Sequence, residues 1–201
     1  MAGFFPPDPP QDDSTGPEPE VDPRWGPPET ELPRLFPISE ALAVTDTAAI
    51  IVMAARVYST GVEFVIERRI RRGDRTPQEW QTAHWGFHGS FGSSDPERLR
   101  YGVALGDGRR LILDDGSWMT GGEGGSGDDD TAHTLAPTGG SGGGSGNVYR
   151  VEDGLWLRPL PPAGPIEIVA QWPAQGIEES RIVLDGTPLL DLAASVRPLW
   201  G

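Results

Sequence analysis

Residues 48–71 have the sequence AAIIVMAARVYSTGVEFVIERRIR, and this stretch decides the fold class. Residues 48–58 form an apolar segment, and Ser59-Thr60-Gly61 provides a turn. After the turn, one face of the chain carries apolar side chains and the other carries charged ones. The apolar set is Val62, Phe64, Ile66 and Ile70, and the charged set is Glu63, Glu67, Arg69 and Arg71. A period of two is typical of a half-buried antiparallel strand, so we predict two paired strands here.

Similar patterns recur later in the chain. We predict one hairpin over residues 99–113, turning at Gly106-Asp107-Gly108, and another over residues 148–157, turning at Glu152-Asp153-Gly154. Single strands are predicted at residues 166–172 and 181–184. The aromatic-rich segment Trp80–Phe91 is predicted as a further strand.

A helix is predicted only near the C-terminal end. Thr187 can cap it and Pro188 suits its first position, and an apolar stripe follows before Arg197-Pro198, where we expect the helix to end. These patterns together predict an all-β fold, an antiparallel β-sandwich of about 8–9 short strands with one short C-terminal helix.

The composition divides the chain into a tail and one domain. Residues 1–38 are acidic and rich in proline, so we predict a disordered tail that favours extended polyproline conformations. Residues 39–201 are predicted to form the β-sandwich domain. Its glycine-rich segment 121–146 is predicted as a disordered loop, because glycine loses much backbone entropy on ordering.

Charge and residue usage exclude several classes of function. The chain has no cysteine, and its 16 basic residues are all arginine, so thiol catalysis, cysteine metal sites and lysine Schiff bases are excluded. The formal net charge is −14, and residues 1–46 alone contain ten acidic residues and two arginines. We therefore predict no nucleic-acid partner, because binding phosphates requires an exposed basic surface.

The first residues lack the basic and apolar regions of a signal peptide. No apolar run approaches the ~20 residues that span a membrane. We expect a cytoplasmic protein without a membrane partner.

Five arginines form the dense basic cluster of the sequence: Arg68, Arg69, Arg71, Arg72 and Arg75. On a strand, Arg69 and Arg71 face solvent, while Arg68 and Arg72 lie on the core side. One interpretation is a solvated strand end that pairs locally with Glu67 and Asp74. The functional hypothesis is a binding surface for an acidic protein partner or for the acidic tail of this same chain.

The histidines His84 and His88 are the candidate metal ligands. On a helix they would share one face, but on a strand they would stand about 13 Å apart, too far for one ion. We predict no metal site, no cofactor and no catalytic residues, because no nucleophile or carboxylate pair has a recognisable spacing. The sequence thus favours a non-catalytic, soluble protein-interaction module. A metal-binding protein or metal-dependent enzyme that uses His84 and His88 is the alternative.

The segment Leu157–Ala174, LRPLPPAGPIEIVAQWPA, resembles uncharacterised β-rich soluble proteins of GC-rich Gram-positive bacteria. The likeness includes the glycine-rich middle segment and the late strand and helix before Leu199-Trp200, and it covers roughly residues 45–201. The group has no assigned activity or site residues. The resemblance implies one compact β-rich domain in a soluble bacterial protein and nothing about function.

Overall fold

A computed structural model describes residues 22–88, 96–113 and 132–200 of the 201-residue chain. This part contains two α-helices, α1 (Pro77–His88) and α2 (Thr187–Ala193), and a 3₁₀ turn at Pro173–Gln175. Its eleven strands are β1 (Glu31–Leu32), β2 (Arg34–Val44), β3 (Ala48–Val57), β4 (Val62–Arg71), β5 (Arg100–Leu105), β6 (Arg110–Leu113), β7 (Thr134–Gly144), β8 (Val148–Arg158), β9 (Pro165–Trp172), β10 (Ile177–Asp185) and β11 (Arg197–Pro198). Neither helix in these ranges is long and apolar enough to cross a membrane.

All strand pairs are antiparallel, and they form two large sheets and one small one. The five-stranded sheet has the order β2-β3-β4-β8-β7, and the four-stranded sheet has the order β10-β9-β5-β6. The third sheet pairs β1 with β11. The predicted all-β antiparallel fold is confirmed, but the described residues contain eleven strands rather than 8–9, and a second helix in addition to the C-terminal one.

The core lies between the two large sheets. On β4 the inward positions include Phe64 and Ile66, and from the other sheet Tyr101, Ile166 and Ile168 point into the same cluster. All five side chains are buried. The period-two alternation in residues 48–71 is thus the pattern of a sheet with one face on the core, except that Glu63 and Val65 on the outer face of β4 are also buried.

The strand predicted over Trp80–Phe91 is wrong for residues 80–88, and residues 89–91 lie outside the described residues. The structure has helix α1 over Pro77–His88. Thr76 and Glu79 form a capping box: the Glu79 carboxylate accepts the Thr76 N–H at 2.8 Å, and the Thr76 hydroxyl oxygen accepts the Glu79 N–H at 3.3 Å. With Pro77 at the first helical position, these contacts satisfy the helix start and outweigh the strand propensity of the aromatic residues.

The hairpin predicted at Glu152-Asp153-Gly154 is also wrong, because β8 runs without a turn from Val148 to Arg158. Two of the three supposed turn residues have long-range partners instead. Glu152 pairs with Arg56 on β3, and Asp153 pairs with Arg68 on β4. These ion pairs stabilise extended backbone at residues whose type favours a turn.

Two predicted boundaries differ from the structure. Strand β2 begins at Arg34, inside the predicted tail of residues 1–38, and the indole Nε1 of Trp156 donates to the carbonyl of Pro23 at 2.9 Å. Strand β7 occupies residues 134–144, inside the predicted loop of residues 121–146. Parts of these two predictions, residues 1–21 and 121–131, lie outside the described residues.

The C-terminal helix is shorter than predicted. Helix α2 ends at Ala193, and its N-cap is Gly186 rather than Thr187. The Asp185 carboxylate accepts the Thr187 N–H at 2.9 Å, which satisfies a donor at the helix start and lowers the pKa of Asp185.

We predict that Gly154→Ala destabilises the fold and that Gly143→Ala does not. A Cβ on Gly154 would lie 1.8 Å from Thr138 Oγ1 and 2.7 Å from Glu63 Oε1, whereas a Cβ on Gly143 would meet nothing within 4 Å. We expect Gly154→Ala to lower the free energy of unfolding by about 1–3 kcal/mol in urea titrations. Both changes affect the unfolded chain alike, so equal unfolding curves would contradict the packing argument.

Candidate functional site

Successive side chains of β4 point to opposite faces of the sheet, and this alternation separates the arginines of the predicted cluster. Arg68 points into the core and is only 2% exposed, whereas Arg69 and Arg71 point outward and are exposed. Arg72 and Arg75 lie just after β4 and are half-buried. The structure therefore keeps Arg69, Arg71, Arg72 and Arg75 at one end of the five-stranded sheet and removes Arg68 from that surface.

Arg68 is held by a buried ion pair. Its Nε and Nη2 donate to the two carboxylate oxygens of Asp153 at 2.5 and 2.8 Å, in a bidentate geometry. Its Nη1 donates to the carbonyl of Phe87 on α1 at 3.0 Å. The inward direction of Arg68 was predicted correctly, but its role in a binding surface was not. Through these contacts, the Arg68 side chain links helix α1 to strands β4 and β8.

Aromatic rings and a phenol surround this ion pair. The Arg68 guanidinium lies 4.7 Å from the Phe87 ring centre and 5.6 Å from that of Trp172. The Tyr101 hydroxyl donates to Asp153 Oδ2 at 3.2 Å. Burial raises the pKa of Tyr101 well above its ordinary value, and the nearby Asp153 charge raises it further. The pair thus has partners from both sheets and from the helix, as a buried charge requires.

The strand register adds an arginine that the sequence cluster did not contain. Arg150 on β8 pairs directly with Arg69 on β4, and Arg71 pairs with Val148 two residues along. All three arginines are exposed on the outer face of the sheet. Like charges at directly opposed positions destabilise a sheet. No sequence signal identifies Arg150, because 81 residues separate it from Arg69 and only the register brings them together.

A cleft of about 500 Å³ continues this surface at the end of the sheet. It is lined by Thr47, Arg72, Asp74, Arg75 and Glu79. The guanidinium groups of Arg72 and Arg75 donate to backbone carbonyls of the turn that they belong to. Glu79 is engaged in the capping box, and its hydrogen bonds with Thr76 lower the pKa of Glu79. Among the described residues neither Arg72 nor Arg75 forms an ion pair, but the two carboxylates in the lining make the formal charge of the cleft zero.

We call Arg69, Arg71, Arg72, Arg75 and Arg150 the arginine cluster. Within it, only Arg69 has an ion pair in the part of the chain that the structure describes, with Glu67. The predicted local pairing is thus present at Glu67 and absent at Asp74. Elsewhere on the same sheet, Arg56 contacts two carboxylates, Glu63 at 3.0 Å and Glu152 at 3.2 Å. The arginine cluster differs from the surroundings of Arg56 because four of its five arginines have no ion pair with a carboxylate among the described residues.

Helix α1 changes the argument about the histidines. His84 and His88 both lie within α1, four residues apart. The expected strand separation of about 13 Å does not apply to a helix, where that spacing spans about one turn. Their side chains are outside the described set, and among described residues no group of three potential ligands forms a metal site. The metal-binding alternative stays an untested prediction.

We predict that removing one partner of the buried ion pair destabilises the fold more than removing both. Asp153→Leu leaves the Arg68 guanidinium buried without its carboxylate, which costs about 3–5 kcal/mol of unfolding free energy. The double variant Arg68→Met, Asp153→Leu removes both charges and should recover most of that loss. Urea unfolding of the two single variants and the double variant measures this coupling. Additive losses would contradict it.

Stability should also depend on the Tyr101 proton at alkaline pH. Above a pH of about 10 an unfolded tyrosine loses its proton, whereas the raised pKa keeps Tyr101 protonated in the folded state. The unfolded state then binds fewer protons, so the free energy of unfolding falls as the pH rises. We expect Tyr101→Phe to show a smaller fall between about pH 9 and 11 than the unchanged protein, by chemical unfolding. An equal fall of the unfolding free energy in both proteins would show that groups other than Tyr101 cause the pH dependence.

Comparison with protein-family models, with curated proteins and with solved structures found no match for this chain.

Proposed function

We propose that this protein is a non-catalytic interaction module that binds an acidic segment of a partner protein through the arginine cluster. The observation that carries the proposal is that Arg71, Arg72, Arg75 and Arg150 have no carboxylate partner among the described residues. Arginine is suited to this role, because its planar guanidinium binds a carboxylate through two parallel hydrogen bonds.

The opposed pair Arg69 and Arg150 supports an anionic partner in particular. Two like charges face each other across β4 and β8, and Glu67 already contacts Arg69, so Arg150 carries the residual repulsion that a bound carboxylate would relieve. Relief of this repulsion on binding adds to the affinity without any new apolar contact. Arg72 and Arg75 line the adjacent cleft together with Asp74 and Glu79, so they offer guanidinium donors to the same segment without adding net positive charge.

A short acidic segment fits this surface better than a long polyanion. The chain as a whole has a formal net charge of −14, which repels nucleic acid and other extended polyanions at distances up to the Debye length. A short segment interacts mainly with the arginines that it touches, because charges farther away than a Debye length are screened. We therefore expect weak, salt-sensitive binding, because exposed ion pairs contribute only about 0–1 kcal/mol each.

Residues 1–21 of the same chain are a competitor for this surface. They contain five acidic residues and no basic residue. Because they are covalently attached, their effective concentration at the cluster reaches the millimolar range. Binding of a separate acidic peptide should then be weakened by this segment, and both should respond to salt in the same direction.

We predict that Arg71→Gln combined with Arg150→Gln weakens the binding of an acidic peptide about tenfold. The probe is a fluorescein-labelled, capped peptide of eight residues in which glutamate and valine alternate, titrated by fluorescence anisotropy at about 50 mM salt. The matched control is Arg181→Gln, which removes an exposed arginine that lies on β10 of the other sheet and already contacts Glu167 at 3.1 Å. We expect the control to bind as the unchanged protein does.

Two results would contradict the proposed function. One is an equal loss of affinity in the double variant and in Arg181→Gln, which would assign binding to general charge. The other is the absence of saturable binding to the unchanged protein at low salt. Unfolding curves of all variants establish that a change in affinity does not reflect a loss of fold.

A further inference from the structure

We propose that the acidic segment binds as an added β-strand along residues 139–144 of β7, which we call the glycine edge. This inference rests on the proposed function and specifies how the partner is held. In strand addition, the backbone of an extended peptide supplies hydrogen bonds to an unpaired sheet edge, and its side chains supply specificity. The arginine cluster would then select acidic side chains on the added strand.

The glycine edge differs from the other strand edges of the two large sheets. Natural proteins protect edges with charged side chains or proline. The opposite edge strand, β2, contains Arg34 and Pro37, and the two edges of the four-stranded sheet contain Arg110 on β6 and Glu179 and Arg181 on β10. Residues 139–144 are GGSGGG and contain neither a charged residue nor a proline. A register shift between Thr138 and Ser141 lies at the start of this edge, after which the pairing is continuous to Gly144.

Exposure separates the glycine edge from the first part of the same strand. Leu135 and Ala136 are buried, whereas every residue from 139 to 147 is exposed. Glycine is a poor strand former, and within strands it often marks a position where another backbone approaches closely. Among the described residues, no strand pairs with the outward side of β7, so its outward backbone N–H and C=O groups offer partners to a further strand.

The register places the arginine cluster beside this edge. Gly143 pairs with Arg150, and Arg150 in turn pairs with Arg69. A strand added to β7 would lie two strand spacings, about 10 Å, from β8. Since Gly143 has no side chain, the Arg150 side chain can extend across β7 toward a glutamate on the added strand. Charge complementarity and an open backbone edge thus occur at the same place.

The charges and the sequence favour a segment of a partner protein over two other occupants of the glycine edge, which are residues 1–21 and a second copy of this chain. Residues 1–21 contain six prolines, which lack the N–H that a strand ladder needs, so they suit competition by charge but not strand addition. A second copy of this chain, paired edge to edge, would bring another Arg150 to the same region and add repulsion. An extended acidic segment with few prolines has neither problem.

The test uses backbone methylation of the probe peptide, which removes hydrogen bonds and keeps every charge. Only alternate N–H groups of an added strand point toward the edge that it joins. We therefore compare two isomers of the Glu-Val peptide, one N-methylated at the valines and the other at the glutamates. Strand addition predicts that one isomer loses at least about tenfold in affinity and that the other binds nearly as the parent does. In the full-length protein, amide hydrogen exchange at alternate residues of the glycine edge should slow when the parent peptide is added.

The outcomes separate this inference from the proposed function. If the parent and both isomers bind equally, and Arg71→Gln with Arg150→Gln still weakens all three, strand addition is wrong and charge recognition stands. If the parent peptide does not bind, the proposed function fails. If protection of the glycine edge depends on protein concentration without peptide, and light scattering detects a dimer, the edge pairs with a second copy and the inference is overturned.

Discussion

The buried ion pair between Arg68 and Asp153 is the interaction on which the arrangement of the sandwich depends. Removing two charges from water costs several kcal/mol for each ion, and this cost is offset only where geometry and hydrogen bonding are complete. Here the carboxylate accepts both guanidinium donors and the Tyr101 hydroxyl, while the third guanidinium nitrogen donates to the Phe87 carbonyl. The pair therefore requires β4, β8, β5 and α1 to be in place together.

The same strand that supplies the buried cation also supplies the exposed ones. Successive residues of β4 point to opposite faces, so Arg68 satisfies a core carboxylate while Arg69 and Arg71 remain on the outer surface. The stability of the core and the charge of the surface are therefore separate properties of adjacent residues. A change at Arg69 or Arg71 alters the electrostatics of the surface without disturbing the ion pair, because the sheet itself lies between them.

The errors of sequence interpretation have local physical causes. Thr76-Pro77 followed by Glu79 is a helix-start signal that the aromatic residues after Trp80 obscured, and it could have identified α1. The three residues Glu152-Asp153-Gly154 have turn propensity, and nothing local indicates that they continue a strand. The partners that keep them extended, Arg56 and Arg68, lie 96 and 85 residues away. Long-range ion pairs override local propensity here, and a single sequence carries no record of them.

The sequence by itself determined the fold class, the separation of charged from apolar faces along β4, and the chemistry excluded by the absence of cysteine and lysine. These properties follow from composition and from a period of two, which are local. Only the tertiary structure decided that Arg68 belongs to the core pair, that Arg150 joins Arg69, and that the glycine-rich segment contains a strand edge beside them. The reason is that strand order and register bring together residues far apart in the chain, and these depend on packing of the whole core.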